Sequence, residues 1–280
     1  MEVHRQEYPV QTMCRVLEVS VSGYYAWKHR PLCTRKREDG ELTQRIVQTF
    51  TSHRGVYGSP RLVAELEAQG ILCGRRRVMR LMRQAHLCAR PRPKARATTQ
   101  SDPGASGRIA PNRLNREFSA PGANCKWVAD ITAIPTAEGW LYLAVVLDVF
   151  SRLVVGWAMA SVQDECLVEQ ALRMALGRRE PQAELLHHSD RGSEYTSDAY
   201  LELLKSWGIQ ISMSRTGNCY DNAVMERFFG TLKRECPMHF ETRQQARGAI
   251  FEFIEVFYNR VRRHSVLGYL SPVDFELSKR

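Results

Sequence analysis

The sequence predicts an α/β protein in which a mixed sheet flanked by helices follows a small, basic, all-α region with helix-turn-helix character. Along the 280 residues, the hydrophobic pattern changes near residue 110 from one typical of helices to one typical of strands. The charge changes at the same place: residues 1–110 carry 20 basic and 9 acidic residues, and residues 111–280 carry 20 and 21. The excess positive charge, +10 over the chain, therefore falls in the helical region, which indicates a polyanion-binding module joined to a part with another task.

Two blocks of helical pattern make up the amino-terminal region. From Gln11 to Lys28, two short helices meet around Val19-Ser-Val-Ser-Gly23, with a serine as the N-cap of the second, and this arrangement predicts a small helix-turn-helix. A longer helical block runs from about Glu41 to Leu87. Turn-forming residues at 55–60 and glycines at 70 and 74 divide it.

The last helix of that block has two distinct faces. An apolar stripe consists of Val78, Leu81, Met82 and Ala85, and the basic residues Arg76, Arg80 and Arg83 lie roughly opposite, about 140 to 160° around the helix axis. Most charged helix faces are simply solvated. Here all charges have one sign, residues 75–83 contain no acid, and the surrounding segment is basic, so we favour contact with phosphate groups.

The rest of the chain divides into a linker and a strand-rich part. Residues 90–118 lack a hydrophobic period and are rich in Pro, Ser and Gly, which predicts an exposed basic linker. Three consecutive strands and then alternating helices and strands follow, the order of a mixed sheet with helices packed on it. The predicted strands are 126–136, 140–148, 152–160, 184–188 and 209–213, and the predicted helices are 164–176, 197–207, 222–235 and 242–258.

Cysteine usage and hydropathy indicate the compartment. Eight cysteines are scattered without a Cys-x-x-Cys pair, which is typical of reduced thiols in a cytoplasmic protein and argues against a structural metal. No stretch approaches 18 uninterrupted apolar residues, and the richest, 140–150, contains Asp148. We therefore expect a soluble cytoplasmic protein with no membrane partner.

Three carboxylates stand where a divalent-cation site needs them. Asp130 lies within a predicted strand that otherwise reads as core, where an unpaired charge is costly. Asp190 follows the fourth strand, at a strand end that opens onto a crevice in α/β sheets. Glu226 lies on the helix opened by Asp221-Asn222. Mg²⁺ prefers such hard oxygen ligands.

The helical wheel of the Glu226 helix leaves two interpretations open. Glu226, Asn222 and Lys233 cluster about 120 to 160° away from an apolar side that consists of Val224, Met225, Phe228 and Leu232. The polar groups then either line the edge of the sheet or face solvent. Each of the three carboxylates, taken alone, is as compatible with a cap or a surface charge as with a ligand.

The spacing of these residues is more specific than their chemistry. Between Asp190 and Glu226 lie 35 residues, and Lys233 follows Glu226 by seven. The chain closely resembles the DDE transposases of bacterial insertion sequences, which share a retroviral-integrase-type catalytic core, in the motifs Trp127-Val-Ala-Asp130, Leu147-Asp-Val-Phe-Ser-Arg152, His188-Ser-Asp-Arg-Gly-Ser193 and Asp221-Asn-Ala-Val-Met-Glu-Arg-Phe-Phe-Gly-Thr-Leu-Lys233. The resemblance covers nearly the whole chain, from Tyr57-Gly-Ser-Pro-Arg61 to the segment between Tyr258 and Pro272.

That resemblance implies three domains: a helical DNA-binding region over 1–89, the linker over 90–118, and a ribonuclease H-like integrase core with a carboxy-terminal helical extension over 119–280. It implies Asp130, Asp190 and Glu226 as the catalytic, metal-binding triad, Mg²⁺ as the cofactor with Mn²⁺ as a substitute, and Lys233 as a DNA contact. Two positions depart from the family pattern. Glu194 stands where glutamine is expected, and Leu153 where a basic residue is common.

Four further residues are predicted to support the site. Asp148 is expected to fix the turn into Ser151-Arg152, and Asp221 to cap the helix of Glu226. Asn222 lies on the polar side of that helix. His188 is expected to orient Asp190 or to lie near the phosphate. A zinc site is not expected here, because paired histidines without a third ligand are weak evidence for zinc.

The resemblance implies a DNA transposase that cleaves the ends of an insertion element and joins the 3′-OH to target DNA by two-metal phosphoryl transfer. The alternative is a non-catalytic DNA-binding protein or regulator from a decayed element; a glycosidase with a carboxylate pair fits neither the charge nor the spacing. The expected partners are double-stranded DNA, as element ends and as target, and further copies of the chain. We expect the protein to be associated with the nucleoid. The resemblance also implies a further candidate partner, because in that family the catalytic frame is often joined by frameshifting to an upstream frame with a helix-turn-helix and a leucine zipper. This sequence shows no heptad seam of three or more repeats, so we expect such a partner to be supplied by fusion or in trans.

Overall fold

The computed structural model describes residues 1–31, 33–90, 109–181, 184–215 and 219–279, without the side chains of 219 and 220. Within these ranges the helices and strands, in chain order, are α1 Val10–Val16, α2 Val21–His29, α3 Thr34–Ser52, α4 Ser59–Ala68, α5 Arg75–Gln84, β1 Lys126–Thr136, β2 Gly139–Asp148, β3 Val154–Ala160, α6 Glu165–Arg179, β4 Leu186–Ser189, α7 Asp198–Ser206, β5 Gln210–Met213, α8 Ala223–Glu235, α9 Arg243–Phe251 and α10 Pro272–Leu277. Most of the predicted linker, residues 91–108, lies outside the described residues, so its exposure stays a prediction.

The five strands form one mixed sheet in the order β3-β2-β1-β4-β5. Strands β1, β2 and β3 pair antiparallel, and β4 and β5 run parallel to β1. The turn between β1 and β2 is tight because Gly139 has a φ of +103°, a conformation that favours glycine. The predicted fold, a mixed sheet flanked by helices and preceded by a helical region, is confirmed.

Side-chain alternation gives the sheet two buried faces. On β1, Trp127 and Ala129 pack in the apolar layer that contains α6 and α7. Val128 and Ile134 pack on the opposite face, in the layer that contains α8 and α9. Asp130 has the same parity along β1 as Val128 and Ile134, so it belongs to the face that α8 covers.

Helix α6 approaches β3 closely at one glycine. A Cβ on Gly156 would lie 2.2 Å from the carbonyl oxygen of Ala171, closer than a side chain tolerates. The helix begins at a side-chain cap, because Asp164 Oδ1 accepts a hydrogen bond of 3.0 Å from the Leu167 N–H. Gly156 therefore sets how near α6 can pack to the sheet.

Helices α3, α4 and α5 share their apolar core with the α8 face of the sheet. Leu42, Leu62 and Val78 belong to the same cluster of buried side chains as Phe228 and Phe253. The helical region is thus packed on the strand-rich part. Helices α3, α4 and α5 therefore do not have a hydrophobic core separate from that of residues 119–280.

Buried ion pairs reinforce this contact. Glu235, at the end of α8 and 1% exposed, accepts hydrogen bonds from Arg262 Nε at 2.6 Å and from Arg262 Nη2 at 2.9 Å. On α4, Arg61 Nε donates to the Arg263 carbonyl oxygen at 2.9 Å, and Glu65 pairs with the Arg263 guanidinium. Residues 262–263 therefore connect α4 to the rest of the core.

Several boundaries differ from the sequence prediction, and three of the differences have a clear local cause or size. Strand β3 begins at Val154 and not at residue 152, because Arg152 has a φ of +62° and its N–H closes a turn onto the Asp148 carbonyl oxygen at 2.8 Å. Helix α3 begins at Thr34, earlier than the apolar pattern indicated. The predicted helix 242–258 is α9 followed by a π-helical turn over Glu252–Tyr258. No helix in the described ranges is long and apolar enough to cross a membrane.

Candidate active site

Asp130 and Asp190 lie at the same level on neighbouring strands. The parallel pairing of β1 with β4 sets Val128 beside His188, and each aspartate follows two residues later on its own strand or just beyond it. Parallel strands end at the same edge of a sheet, where crevices form. The two carboxylates therefore meet at the carboxyl end of β4, next to the middle of β1.

The loop after β4 is shaped around the Asp190 carboxylate. The Gly192 N–H donates a hydrogen bond of 3.0 Å to Asp190 Oδ1. A Cβ on Gly192 would lie 2.7 Å from Glu194 Oε2 and 3.2 Å from Asp190 Oδ1, so a larger residue would displace both side chains. Gly192 is thus needed for space, and it leaves the carboxylates of Asp190 and Glu194 on one small surface.

Helix α8 contributes the third acid and a base. Met225, Phe228 and Leu232 are buried against the sheet, and Glu226 and Lys233 are exposed. Both charged side chains nevertheless act on Asp130 through their fields, Glu226 raising its pKa and Lys233 lowering it. The polar side of α8 therefore lines the acidic site as well as facing solvent.

Burial and like charge raise the pKa values of the acids. The pKa of Asp130 lies well above its usual range, first because of burial and then because of the neighbouring charge of Asp190. Burial is also the main cause of the raised pKa of Asp190, with the charge of Glu194 adding to it. The pKa of Glu226 is raised by burial. The site has an excess of negative charge that a bound cation would offset.

The donors fit a divalent cation of the hard type. They are carboxylate oxygens, the ligands that Mg²⁺ and Mn²⁺ prefer, and they include no cysteine or histidine that would favour zinc. Within the described part of the chain, no three His, Cys, Asp or Glu side chains stand close enough to hold a metal ion by themselves. Water or phosphate oxygens would have to complete the coordination, as is usual for Mg²⁺.

Asp148 and Asp221 bind groups other than the three acids, and their roles differ. Asp148 accepts hydrogen bonds from the N–H groups of Phe150 at 2.8 Å and Asn124 at 2.7 Å, so it holds the turn that follows β2. Asp221 does not cap α8, contrary to the sequence prediction. The N-cap is Asn222, without a side-chain cap hydrogen bond.

Asp221 instead binds two arginines and an amide from distant segments. Its carboxylate accepts hydrogen bonds from Arg215 Nε and Arg116 Nε, each at 3.0 Å, and from Asn112 Nδ2 at 2.8 Å. These contacts, with Arg215 first, hold the pKa of Asp221 far below its usual range. Asp221 therefore links the segment before β1, through Asn112 and Arg116, to Arg215 in the segment before α8.

His188 makes contacts other than those predicted. Its Nδ1 lies 2.8 Å from Ser212 Oγ and its Nε2 lies 3.0 Å from Ser214 Oγ, so both ring nitrogens contact β5 and the residue after it, not Asp190. Ser212 Oγ also accepts a hydrogen bond from the Arg113 N–H at 2.9 Å. Burial lowers the pKa of His188 to about 4, so the ring is neutral at pH 7 and serves packing between β4 and β5.

The buried polar atoms without a hydrogen-bond partner in the described residues include Tyr195 Oη, in the loop after Asp190, and Asn222 Oδ1, at the start of α8. Tyr195 is 2% exposed, and the charges of Asp130, Asp190 and Glu194 contribute to its raised pKa after burial and Tyr200. The sequence interpretation missed Tyr195. Its only signal was its place directly after Glu194 in the Asp190 loop.

The basic face of α5 is partly neutralised. Arg76 and Arg83 are exposed, but Arg80 Nη2 donates to Asp39 Oδ2 at 2.6 Å and Arg77 Nε to Asp39 Oδ1 at 2.7 Å. Although residues 75–83 contain no acid, α3 supplies one. DNA contact by Arg76, Arg80, Arg83 and Lys233 stays a prediction, with Arg80 the least available of the three on α5.

Comparison with known proteins identifies two regions by family. The description "Integrase core domain" matches residues 120–219 and again 207–272, and "HTH-like domain" matches residues 36–95. The HTH-like match falls on α3, α4 and α5. Helix-turn-helix function of the α1–α2 pair stays a prediction.

Two similar proteins span nearly the whole chain. One is the "Insertion element IS600 uncharacterized 31 kDa protein" of Shigella sonnei, 45% identical over 265 residues, which are 94% of this chain and 97% of that protein. The other is "Transposase InsF for insertion sequence IS3A" of Escherichia coli strain K12, 41% identical over 280 residues, 99% of this chain and 96% of that protein.

Matches among solved structures are more distant in sequence. The simian T-cell lymphotropic virus intasome in complex with PP2A regulatory subunit B56 gamma matches with a TM-score of 0.46 and 15% identity, over 76% of this chain and 70% of that one. The HTLV-2 integrase catalytic core domain in complex with magnesium matches with a TM-score of 0.43 and 17% identity, over 56% of this chain and 99% of that one.

Proposed function

This chain belongs to the transposases of bacterial insertion sequences that combine an HTH-like domain with an integrase core domain, and we propose that it cleaves the ends of its element and joins the freed 3′-OH to target DNA by two-metal phosphoryl transfer. The observation that carries this proposal is the meeting of Asp130 and Asp190 at one level of the sheet, under the polar side of α8.

Asp130, Asp190 and Glu226 are the proposed ligands of the divalent cations, Mg²⁺ or in its place Mn²⁺. Cations bound there would activate the attacking oxygen and stabilise the charge on the leaving 3′ oxygen. Asp130 lies centrally, because both Asp190 and Glu226 act on its carboxylate. By the resemblance to the family, Asp130 would help to hold both cations, and Asp190 and Glu226 would each help to hold one.

Lys233 is proposed to hold the DNA backbone beside the acids. Its charge acts on Asp130 and burial lowers its pKa, although the residue as a whole is exposed on the polar side of α8. A cation in that place attracts a phosphate and limits the repulsion between DNA and the acidic site. No serine, cysteine or tyrosine nucleophile is required, because water and then the freed 3′-OH serve as attacking groups.

The domain division proposed for this activity follows the sequence prediction, with DNA held by residues 1–89, the linker at 90–118 and the chemistry in 119–280. Helices α3, α4 and α5 share buried apolar contacts with the core, and α5 carries the exposed Arg76 and Arg83. One unit that both holds and cuts DNA suits a protein that acts at defined element ends. Assembly of several copies on DNA, and an upstream-frame partner, belong to the same proposal.

A strand-transfer assay tests the proposal. The full chain is incubated with duplex DNA from the ends of its own element, target plasmid and Mg²⁺. We expect joined products with the natural protein and none with Asp190→Asn or in EDTA, while Asp190→Asn still binds the end DNA. Binding without joining by the natural protein, under conditions where a related active transposase joins, would instead support a non-catalytic regulator.

A further inference from the structure

A basic cluster lies at the carboxyl edge of the sheet, next to the acidic site. In the parallel pairing of β4 with β5, Ser189 stands beside Met213, and the Ser214 N–H donates to the Ser189 carbonyl oxygen at 2.9 Å. Asp190 directly follows Ser189, and Arg215 directly follows Ser214. Because the sheet order is β1-β4-β5, the strand end that leads into Arg215 is the neighbour of the one that leads into Asp190.

A single buried aspartate holds two arginines of this cluster. Asp221, whose side chain is buried, accepts hydrogen bonds from Arg215 Nε at 3.0 Å, from Arg215 Nη2 at 3.2 Å and from Arg116 Nε at 3.0 Å. The arginine side chains are nevertheless 46% exposed for Arg116 and 51% exposed for Arg215. The aspartate therefore fixes both guanidinium groups at the surface without covering them.

The cluster has an excess of positive charge. Arg116 and Arg215 carry two charges against the one of Asp221, and the exposed Arg113 adds a third, so these four side chains have a net charge of +2. The acid that follows Arg116 in the chain, Glu117, is paired with a lysine of β1 at 3.2 Å. One arginine would suffice to neutralise the buried aspartate, and the surplus charge faces solvent.

Fixed and partly exposed guanidinium groups suit a phosphate ligand. Arginine presents N–H donors in a planar fork that matches phosphate oxygens, and a side chain held in place beforehand lowers the entropy cost of binding. The acidic site itself repels DNA, so DNA binding there needs cations close by. Lys233 follows Glu226 by seven residues on α8, and Asp221 precedes Glu226 by five, so cationic groups stand on both sides of Glu226 along the chain.

We propose that Arg113, Arg116 and Arg215 bind the phosphate backbone of the DNA strand that enters the acidic site. Asp221 is a positioning residue for the two arginines that it contacts. The inference rests on the proposed function, because it places the DNA beside the acids of that function. The arginines bind DNA and take no part in the chemical step.

The test is fluorescence anisotropy of the full chain with labelled duplex from the ends of its element, at several salt concentrations in EDTA. Arg113→Gln, Arg116→Gln and Arg215→Gln are each expected to weaken binding about tenfold and to reduce the slope of log affinity against log salt by about 1. Arg173→Gln is the matched control, because Arg173 is 62% exposed on α6, in the layer on the opposite face of the sheet from α8. Unchanged slopes in the three test variants would overturn the proposal.

Arg113→Gln separates DNA contact from a structural role. The Arg113 side chain is exposed, and its backbone N–H, which donates to Ser212 Oγ at 2.9 Å, is kept in the variant. Arg116→Gln and Arg215→Gln instead weaken the hold on the buried Asp221, so they are expected to lower the melting temperature as well. If only these two variants lose affinity and Arg113→Gln binds as the natural protein does, the cluster is structural and the proposal is refuted.

Neutral positions in the DNA backbone locate the contact. One phosphate at a time near the cleaved end is replaced by an uncharged methylphosphonate, and each duplex is titrated with the natural protein and with Arg215→Gln. Where Arg215 contacts the replaced phosphate, the two losses of affinity should not add. We expect this non-additivity within a few nucleotides of the cleaved phosphate, and additive losses at every position would contradict the proposal.

The joining assay keeps this proposal distinct from the proposed function. If the natural protein binds end DNA and does not join it, the proposed function fails, and the salt slopes still decide the phosphate contacts. If the natural protein joins DNA and the arginine variants bind and join as it does, the contacts are refuted and the function stands. Joining by the arginine variants is expected to return at saturating DNA, whereas Asp190→Asn should stay inactive; a defect that saturating DNA does not relieve would contradict a role in binding alone.

Discussion

Asp130 and Asp190 stand side by side on adjacent parallel strands, each two residues beyond the paired Val128 and His188. Burial raises both pKa values, and the charge of Asp190 adds to the effect at Asp130 and the charge of Glu194 to that at Asp190, so the metal-free site is strained in its charged form. The same arrangement that destabilises the apo protein creates a strong field for a divalent cation.

Asp130→Asn is expected to make the metal-free protein more stable. It is also expected to abolish activity when Mg²⁺ is present. Loss of a buried carboxylate that repels Asp190 should raise the free energy of unfolding by roughly 0.5–2 kcal/mol, as is common where a functional site trades stability for activity. Urea denaturation in EDTA measures this. In Mg²⁺ the order should reverse, because only the natural site gains binding energy. A variant less stable than the natural protein in EDTA would contradict the strained site.

Gly156→Ala is expected to be strongly destabilising. The new Cβ would meet the Ala171 carbonyl oxygen at 2.2 Å and force α6 away from β3, which costs about 1–3 kcal/mol or more. Gly177→Ala, on α6 itself, is the control. Nothing lies within 4 Å of its Cβ position, so this change should stabilise the protein by about 0.5–1 kcal/mol. Thermal unfolding of both variants measures the difference, and equal effects would refute the close approach.

Glu235→Gln is expected to loosen the contact between the helical region and the core. The change leaves the buried Arg262 without its charged partner, and breaking a buried pair costs about 3–5 kcal/mol. Arg173→Ala removes an exposed pair with Glu169 on α6 and should cost less than 1 kcal/mol. Urea denaturation, with proteolysis to locate the opened region, compares the two. A loss below 1 kcal/mol for Glu235→Gln would contradict a structural role for this pair.

Acid is expected to destabilise the protein through buried neutral histidines. Burial lowers the pKa of His187 to about 3 and that of His264 well below its usual value, whereas both are near 6.5 in the unfolded chain. The unfolded state therefore takes up protons first as the pH falls below 6.5. Stability that is complete above pH 6.5 is lost at about 1.4 kcal/mol per pH unit for each such group.

Substitution of His187 separates this effect from that of the carboxylates, whose raised pKa values act in the opposite direction. His187→Gln should flatten the fall in unfolding free energy between pH 7.5 and 5, and His86→Asn, at an exposed position, should not. Denaturant midpoints across this range provide the measurement. An unchanged slope in His187→Gln would show that this ring is not buried in neutral form.

The basic face of α5 is expected to act unequally in DNA binding. Arg76→Ala or Arg83→Ala should weaken binding to any duplex and reduce the slope of log affinity against log salt by about 1, because each removes one phosphate contact. Arg80→Ala should have a smaller effect, since Arg80 is paired with Asp39. Fluorescence anisotropy at several salt concentrations measures this. Equal losses for all three arginines would show that DNA displaces Asp39.

Much of the candidate site was accessible from the sequence because its determinants are local. Asp130 is recognisable as a charge inside a buried strand, Asp190 as the residue after a strand, and Glu226 by its face on α8 and its spacing from Asp190. Tyr195 and the partners of His188 were not accessible. Their roles depend on which side chains β4 and β5 bring together, and no local pattern encodes that.

The sequence by itself determined the order of helices and strands, the mixed sheet and the membership of the family, since these depend on hydrophobic period, turn residues and motif spacing. Only the tertiary structure decided that Arg80 on α5 pairs with Asp39 on α3, and that Asp221 binds Arg116 and Arg215 and does not cap α8. It also decided that α3, α4 and α5 share a hydrophobic core with the sheet. The physical reason is that periodicity indicates which face of an element is apolar or charged. What covers that face depends on packing between residues far apart in the chain.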